Sequence, residues 1–159
     1  MYILKKQCKY CIIDISKIIA AYIIFTKGGE GMDLHRYDVI KAELKIKMPS
    51  GSVQNKIRPY VIVGNEFGTS NATIITVMPL THVIKKLHMP VHGCLDVESD
   101  NGLSVYSMVL GEQPQTIDKK EVIEKLGTVT NKTQRNIINR VCYNSFFYGE
   151  NINWKEVLA

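Results

Sequence analysis

Apolar and charged residues alternate strictly from Ile40 to Lys47, and this period of two indicates a strand with one buried face. Four further segments rich in strand-forming residues follow, each bounded by turn or loop residues. We predict these strands at Arg58–Asn65, Thr73–Leu80, Val91–Val97 and Leu103–Gly111. The strand at Arg58–Asn65 contains a stretch, residues 60–63, that is too continuously apolar to face water. A loop is expected over residues 48–57, a turn at 68–71 and a hairpin turn at 100–102.

Two helical segments are predicted after the strands. Residues 118–121 fit a capping box, with apolar residues on either side for a hydrophobic staple and Gly127 as the stop. Thr128–Val129 is a candidate for one more short strand. Asn131–Phe147 is the longest predicted helix, and its apolar stripe consists of Ile137, Ile138, Val141, Cys142 and Phe146. The pattern therefore predicts a mainly β domain with C-terminal helices and a small, strongly bent, barrel-like sheet.

The first 31 residues differ from the rest. Lysines precede an apolar run over residues 12–25 that is interrupted by Asp14 and Lys17, so the run is too short and too charged to predict a membrane span. Residues 27–31 could be encoded by a purine-rich bacterial ribosome-binding sequence ahead of Met32. We interpret residues 1–31 as an N-terminal extension: a mis-assigned start, a membrane-associating helix or an additional packed helix. Residues 32–159 then form the domain.

Composition narrows the class of protein. With 159 residues, 45% hydrophobic and 22% charged, the chain has the size and balance of one ordinary globular domain. Its four cysteines show no spacing typical of a disulfide framework. The net charge of +5 is unevenly distributed, because residues 36–90 hold eight basic residues against three acidic ones. An anionic ligand bound there and an ordinary mixed surface explain this equally well.

Common catalytic and metal-binding motifs are absent from the sequence. The acidic run at residues 96–100 resembles a calcium loop, but Asn101 and Ser107 stand where the loop needs glycine and glutamate. There is no P-loop, dinucleotide fingerprint or nucleophile-elbow serine. His82, His88 and His92 lie in a strand and its flanks, so we expect each to be exposed or hydrogen-bonded. Neither a metal nor a cofactor is expected.

An ordered series of short motifs carries the clearest signal: Gly51–Gln54, Arg58–Pro59, Met78–Thr81, Pro90–His92 and Glu112–Lys119. In order and spacing this series resembles the MazF/PemK/Kid family of bacterial toxins, from residue 36 to about 147. The resemblance implies a small SH3-like barrel of the MazF/CcdB type and a symmetric homodimer. It also implies a cytoplasmic, sequence-specific endoribonuclease that cleaves single-stranded mRNA without a metal. A MazE-like antitoxin would neutralise it, and no membrane is involved.

The resemblance places three catalytic residues. Metal-free cleavage uses the 2′-OH of the RNA as nucleophile, which leaves 2′,3′-cyclic phosphate and 5′-OH ends and requires proton transfer and charge stabilisation. Arg58 would bind the phosphoryl oxygens, Thr81 would contact the scissile phosphate or orient the 2′-OH, and Glu112 is a possible base. Structural alternatives are an ion pair of Arg58 with Glu112 or Asp38, and a Thr81 hydroxyl that caps the following turn.

Further residues are candidates for RNA binding. They are Ser52, Gln54, Lys56, Lys85, Lys86 and Gln113, where loop side chains would read unstacked bases and lysines would hold the phosphate backbone. The sequence departs from the family at Tyr37, Val53, Leu110 and Gln115, so the recognised RNA sequence does not transfer. Two alternatives remain: a CcdB-like toxin that binds gyrase, and a non-catalytic RNA-binding barrel. The presence of both Arg58 and Thr81 favours the nuclease.

Overall fold

The structure is a computed structural model that describes residues 31–43 and 57–158. Seven strands lie in these residues: β1 Asp38–Ala42, β2 Arg58–Ile62, β3 Ile74–Thr81, β4 His92–Leu95, β5 Ser107–Leu110, β6 Gln115–Asp118 and β7 Val122–Thr128. All five predicted strands are present, although each is shorter than predicted or shifted by a residue. The second half of the first predicted strand and the loop after it lie outside the described residues, as does the extension up to residue 30.

The strands form an antiparallel sheet in the order β4-β5-β3-β2-β1-β7, and β6 also pairs with β3. The long strand β3 joins two parts of this sheet. Residues Ile74–Val77 pair with β6, while Leu80 and Thr81 pair with β5. The β1–β7 ladder contains two register shifts, and such irregularities bend a sheet sharply. The predicted strongly bent, barrel-like β fold is therefore confirmed.

The bent sheet is buried on both faces. Alternate residues of β1 and β2 point into two different clusters: Val39 and Val61 belong to one, Ile40 and Tyr60 to the other. All four side chains are fully buried. Because neighbouring positions in a strand face opposite sides, burial of both faces explains why β2 reads as a continuous apolar run.

The helix predicted from residue 118 is wrong beyond its first turn. Asp118 and Glu121 do form the capping box, since Lys120 N donates to Asp118 Oδ1 at 2.9 Å and Asp118 N donates to Glu121 Oε2 at 3.1 Å. Only a 3-10 turn, Lys119–Glu121, follows. The chain then enters β7, which pairs with β1. Gly127 lies in this strand and not at a helix end. Glycine is needed there because a Cβ would lie 2.3 Å from the carbonyl oxygen of Asp100.

Three helices complete the described fold: α1 Glu66–Asn71, α2 Lys132–Phe147 and α3 Trp154–Val157. The first replaces the predicted turn, and Asn65 caps it by accepting a hydrogen bond from Gly68 N at 2.7 Å. The long helix α2 is confirmed, with Ile138 and Val141 buried in the core. In the described residues no helix is long and apolar enough to cross a membrane.

One residue of the predicted α2 stripe was assigned wrongly. Phe146 is 62% exposed, because it lies near the end of the helix, where its ring contacts Phe147 rather than the sheet. Cys142 does pack against the core, and burial raises the pKa of its thiol. A thiol that is harder to ionise is less reactive, which agrees with the prediction of a core residue.

Candidate active site

An open groove of about 830 Å³ lies where the start of β2, the end of β3 and the segment after β5 come together. Nine site residues were predicted, and the structure describes six of them. All six line this groove: Arg58, Thr81, Lys85, Lys86, Glu112 and Gln113. The other three, Ser52, Gln54 and Lys56, lie outside the described residues. The fold thus brings together side chains that are spread over more than fifty positions of the sequence.

Sheet pairing positions the first two of these residues. In the β2–β3 ladder Tyr60 lies opposite Pro79 and Ile62 lies opposite Val77. The same register, continued by two residues, brings Arg58 opposite Thr81. Arg58 is the first residue of β2 and Thr81 the last of β3, so both emerge at one end of the sheet, where the groove opens.

Arg58 has no carboxylate partner among the residues that the structure describes. Asp38 is instead 2.8 Å from Lys125 Nζ and accepts a hydrogen bond from Thr128, while Glu112 contacts His92. The alternative prediction of an ion pair between Arg58 and either carboxylate is therefore wrong. Arg58 Nε is buried without a hydrogen-bond partner. An arginine in this state is suited to an anion supplied from outside the chain, because its buried Nε donor is unpaired and a guanidinium binds anions through charge-assisted hydrogen bonds.

The Thr81 hydroxyl does cap the turn, as the structural alternative proposed. Its Oγ1 accepts a hydrogen bond from Val83 N at 3.1 Å. A hydroxyl that accepts one hydrogen bond still carries its own proton and can donate it. The capping bond therefore fixes the oxygen at the groove and leaves its donor available, so the two interpretations of Thr81 are compatible.

Glu112 lies on the groove wall and contacts a histidine. Its Oε2 is 3.1 Å from His92 Nε2, and the other ring nitrogen, Nδ1, is 3.0 Å from the carbonyl oxygen of Lys86. The Glu112 side chain is 39% exposed, whereas that of His92 is 4% exposed. His92 was expected to be exposed or hydrogen-bonded, and it is hydrogen-bonded. Its contact with Glu112 was not predicted, although His92 stands within one of the motifs that carry the resemblance.

Residues 35–144 match the family described as PemK-like, MazF-like toxin of type II toxin-antitoxin system. The chain belongs to this family. It is 33% identical over 109 residues to the endoribonuclease MazF of Staphylococcus saprophyticus, covering 68% of this chain and 88% of that protein. It is 35% identical over 94 residues to the endoribonuclease MazF of Staphylococcus epidermidis, covering 58% and 75%. The resemblance drawn from the motifs is confirmed.

Solved structures support the same fold. An endoribonuclease in complex with its cognate antitoxin, from Mycobacterial species, aligns with a TM-score of 0.56 at 21% identity, covering 71% of this chain and 94% of that chain. The MazF-mt6 toxin of Mycobacterium tuberculosis aligns with a TM-score of 0.54 at 23% identity, covering 69% and 95%. The chain therefore has the fold of the PemK/MazF family, as predicted.

The groove of this PemK/MazF family member is electropositive. Among its described lining residues, Arg58, Lys85 and Lys86 are permanent cations and Glu112 is the one carboxylate. A concave surface with an excess of one charge attracts counter-charged ligands. No three histidine, cysteine, aspartate or glutamate side chains of the described residues are grouped as metal ligands. Carboxylate and phosphate groups are the anions that such donors bind.

Proposed function

We propose that this chain is the toxin of a type II toxin–antitoxin pair and that its groove cleaves single-stranded mRNA. One observation carries the proposal: an unpaired arginine, a hydroxyl and a carboxylate, Arg58, Thr81 and Glu112, line one electropositive groove. Family membership and the name endoribonuclease MazF borne by the staphylococcal relatives support the same reaction.

The three groups supply what cleavage by an internal nucleophile needs. The Glu112 carboxylate takes the proton of the 2′-OH, and the 2′-oxygen attacks the adjacent phosphorus. The bond from phosphorus to the 5′-oxygen breaks, the 5′-oxygen takes up a proton from water, and Glu112 returns to water the proton that it took. The products are a 2′,3′-cyclic phosphate and a 5′-hydroxyl. Arg58 and the Thr81 hydroxyl donate hydrogen bonds to the phosphoryl oxygens, where negative charge accumulates.

The nucleophile belongs to the substrate, so no metal-bound water has to be generated. Charge on the phosphoryl oxygens is met by the Arg58 guanidinium, which is permanently protonated and presents a planar set of donors. We therefore propose that cleavage is independent of divalent metal. We also propose that Lys85, Lys86 and Gln113, which line the groove, lie on the path of the RNA strand.

RNA binding and partners complete the proposal. Lys85 and Lys86 are exposed beside the groove and would hold the phosphate backbone through contacts that weaken with salt. Ser52 and Gln54 would hydrogen-bond unstacked bases, and Lys56 would also hold the phosphate backbone. The chain would act as a homodimer and be neutralised by a MazE-like antitoxin. A mycobacterial endoribonuclease of similar fold has been solved in complex with its own cognate antitoxin.

The test is cleavage of a defined single-stranded RNA, with the ends of the products analysed by mass spectrometry. We expect cyclic-phosphate and 5′-hydroxyl ends, an unchanged rate in excess EDTA, and no cleavage when the 2′-OH at the cut site is replaced by hydrogen. Cleavage that stops in EDTA, or that proceeds on the 2′-deoxy substrate, would overturn the mechanism. A folded wild-type protein that cleaves no RNA but inhibits gyrase would favour the CcdB-like alternative.

A further inference from the structure

His92 lies beneath the groove and joins two segments that line it. The ring is almost completely buried, with 4% of the side chain exposed. Its Nδ1 faces the carbonyl oxygen of Lys86, in the loop after β3, and its Nε2 faces Glu112, after β5. The histidine thus connects the lysine-bearing loop to the residue proposed as the base.

The two contacts determine how many protons this group of atoms must hold. A carbonyl oxygen can only accept, so Nδ1 of His92 carries a proton and donates it to Lys86. An ionised carboxylate also only accepts, so the contact of Nε2 with Glu112 needs a second proton. That proton lies on Nε2 when Glu112 acts as the base, because a protonated carboxyl group cannot take the proton of the 2′-OH. Without it, the lone pair of Nε2 would face the carboxylate oxygen, and the contact would be repulsive.

The backbone conformation of Lys86 is unusual, and contacts to its carbonyl oxygen hold it in place. Lys86 has a φ of 51°, in the left-handed region that a lysine rarely adopts. Its carbonyl oxygen accepts a hydrogen bond from Met89 N at 2.9 Å in addition to facing His92. Strained residues of this kind persist when the surrounding contacts hold them and are concentrated at functional sites. The loop therefore presents its carbonyl to the histidine and fixes the orientation of the ring.

We infer that His92 is a positioning residue of the cleavage reaction, which rests on the function proposed above. The proton shared with Glu112 holds that carboxylate at the groove wall, in reach of a bound 2′-OH. Loss of the shared proton releases Glu112, which is partly exposed and free to rotate away. We therefore expect an alkaline limb in the pH–rate profile that depends on the contact between His92 and Glu112.

Other titratable groups near the pair do not account for this limb. The remaining ones that line the groove are Arg58, His82, Lys85 and Lys86. In the described residues none of these four groups forms an ion pair with Glu112, whose ion pair is with His92. His82 is exposed. Helix α2 packs on β4 through Ile137 and Val141, which carry no charge.

The pair itself can be tested without any activity. In ¹⁵N and ¹H NMR spectra of the full chain below neutral pH, we expect a slowly exchanging His92 Nε2 proton, which Glu112→Ala should expose to fast exchange. At higher pH the proton that remains on the ring should be on Nδ1. His92→Gln identifies the signal by removing it. A neutral ring with its proton on Nε2, or an Nε2 proton unaffected by Glu112→Ala, would overturn the pairing.

The positioning role is tested by pH–rate profiles of RNA cleavage. Glutamine can donate a hydrogen bond to Glu112 but does not titrate, so His92→Gln should keep some activity and lose the alkaline limb. We expect kcat to fall by about 100-fold, as misplacement of a catalytic group does, with KM nearly unchanged. His88 is exposed and lies outside the groove, so His88→Gln should keep the limb. A wild-type profile in His92→Gln would overturn the role.

The two proposals fail in different ways. If the wild-type protein cleaves RNA and His92→Gln keeps the wild-type pH profile, the role of His92 is wrong and the proposed function stands. If the folded wild-type protein cleaves no RNA, the proposed function is wrong, and the positioning role fails with it. The NMR result still decides whether His92 and Glu112 share a proton.

Discussion

Replacement of Arg58 by alanine should separate activity from stability. The guanidinium is the oriented donor proposed to meet the charge on the phosphoryl oxygens, and removal of one such donor typically lowers the rate by about 100- to 1,000-fold. We expect kcat to fall by that factor. Arg58→Lys keeps the charge and loses the planar set of donors, so its rate should lie between those of the wild type and the alanine variant.

The effect on stability follows from the contacts of the side chain. Arg58 makes no ion pair with a described carboxylate, and its buried Nε has no hydrogen-bond partner. Removing an unsatisfied buried polar group gains about 1–3 kcal/mol, whereas removing the two partly buried methylenes beyond Cβ loses about 1 kcal/mol. The gain is at least as large as the loss. The free energy of unfolding should therefore stay within about 2 kcal/mol of the wild type and should not fall.

The assay combines thermal unfolding with single-turnover cleavage of one RNA substrate. Arg140 is exposed on α2 and outside the groove, so Arg140→Ala removes the same charge and controls for electrostatics. We expect a Tm for Arg58→Ala at or above that of the wild type. A large drop in Tm would show that Arg58 is structural, and normal cleavage by the folded variant would refute its catalytic role.

Two further predictions concern stability and the extent of the domain. The ring of His35 is 2.5 Å from Glu66 and 3.0 Å from Asp33, and hydrogen bonds to Glu66 first and Asp33 second raise the pKa of His35 above 6.5. This contribution to stability is complete below pH 6.5 and is lost as the pH rises through the raised pKa. The Tm of the wild type should therefore decline over that range, whereas the Tm of His35→Gln should not. Equal slopes of Tm against pH in the two proteins would contradict this prediction. A chain that begins at Met32 should fold and cleave RNA like the full chain, since Leu34 is in the core and Met32 packs against it. A marked loss of Tm in the shorter chain would show that residues 1–31 are a structural element.

Local patterns in the sequence were sufficient for much of the fold. Five of the seven described strands and the long helix followed from hydrophobic periodicity, because side-chain direction repeats every two residues in a strand and every 3.6 in a helix. The capping box at Asp118 was also correct, since it depends on residues only three positions apart. The family followed from the order and spacing of short motifs, which are properties of the sequence alone.

The segment after the capping box shows where local information ended. Residues Val122–Thr128 form a strand because they pair with β1, more than eighty positions earlier in the chain. A glycine at position 127 is consistent with a helix stop and with a close backbone contact alike. The choice depended on the Asp100 carbonyl lying against it, which only the tertiary structure provides.

For the candidate site, too, the sequence predicted some features and the tertiary structure decided others. Arg58, Thr81 and Glu112 were identified from the sequence because each lies in a recognisable motif. The folded chain decided that these three residues share one groove. It also decided that Arg58 has no described carboxylate partner and that Glu112 contacts His92. Whether a charged side chain is paired or available depends on the groups that tertiary packing places within a few ångströms of it, and sequence spacing does not specify those distances.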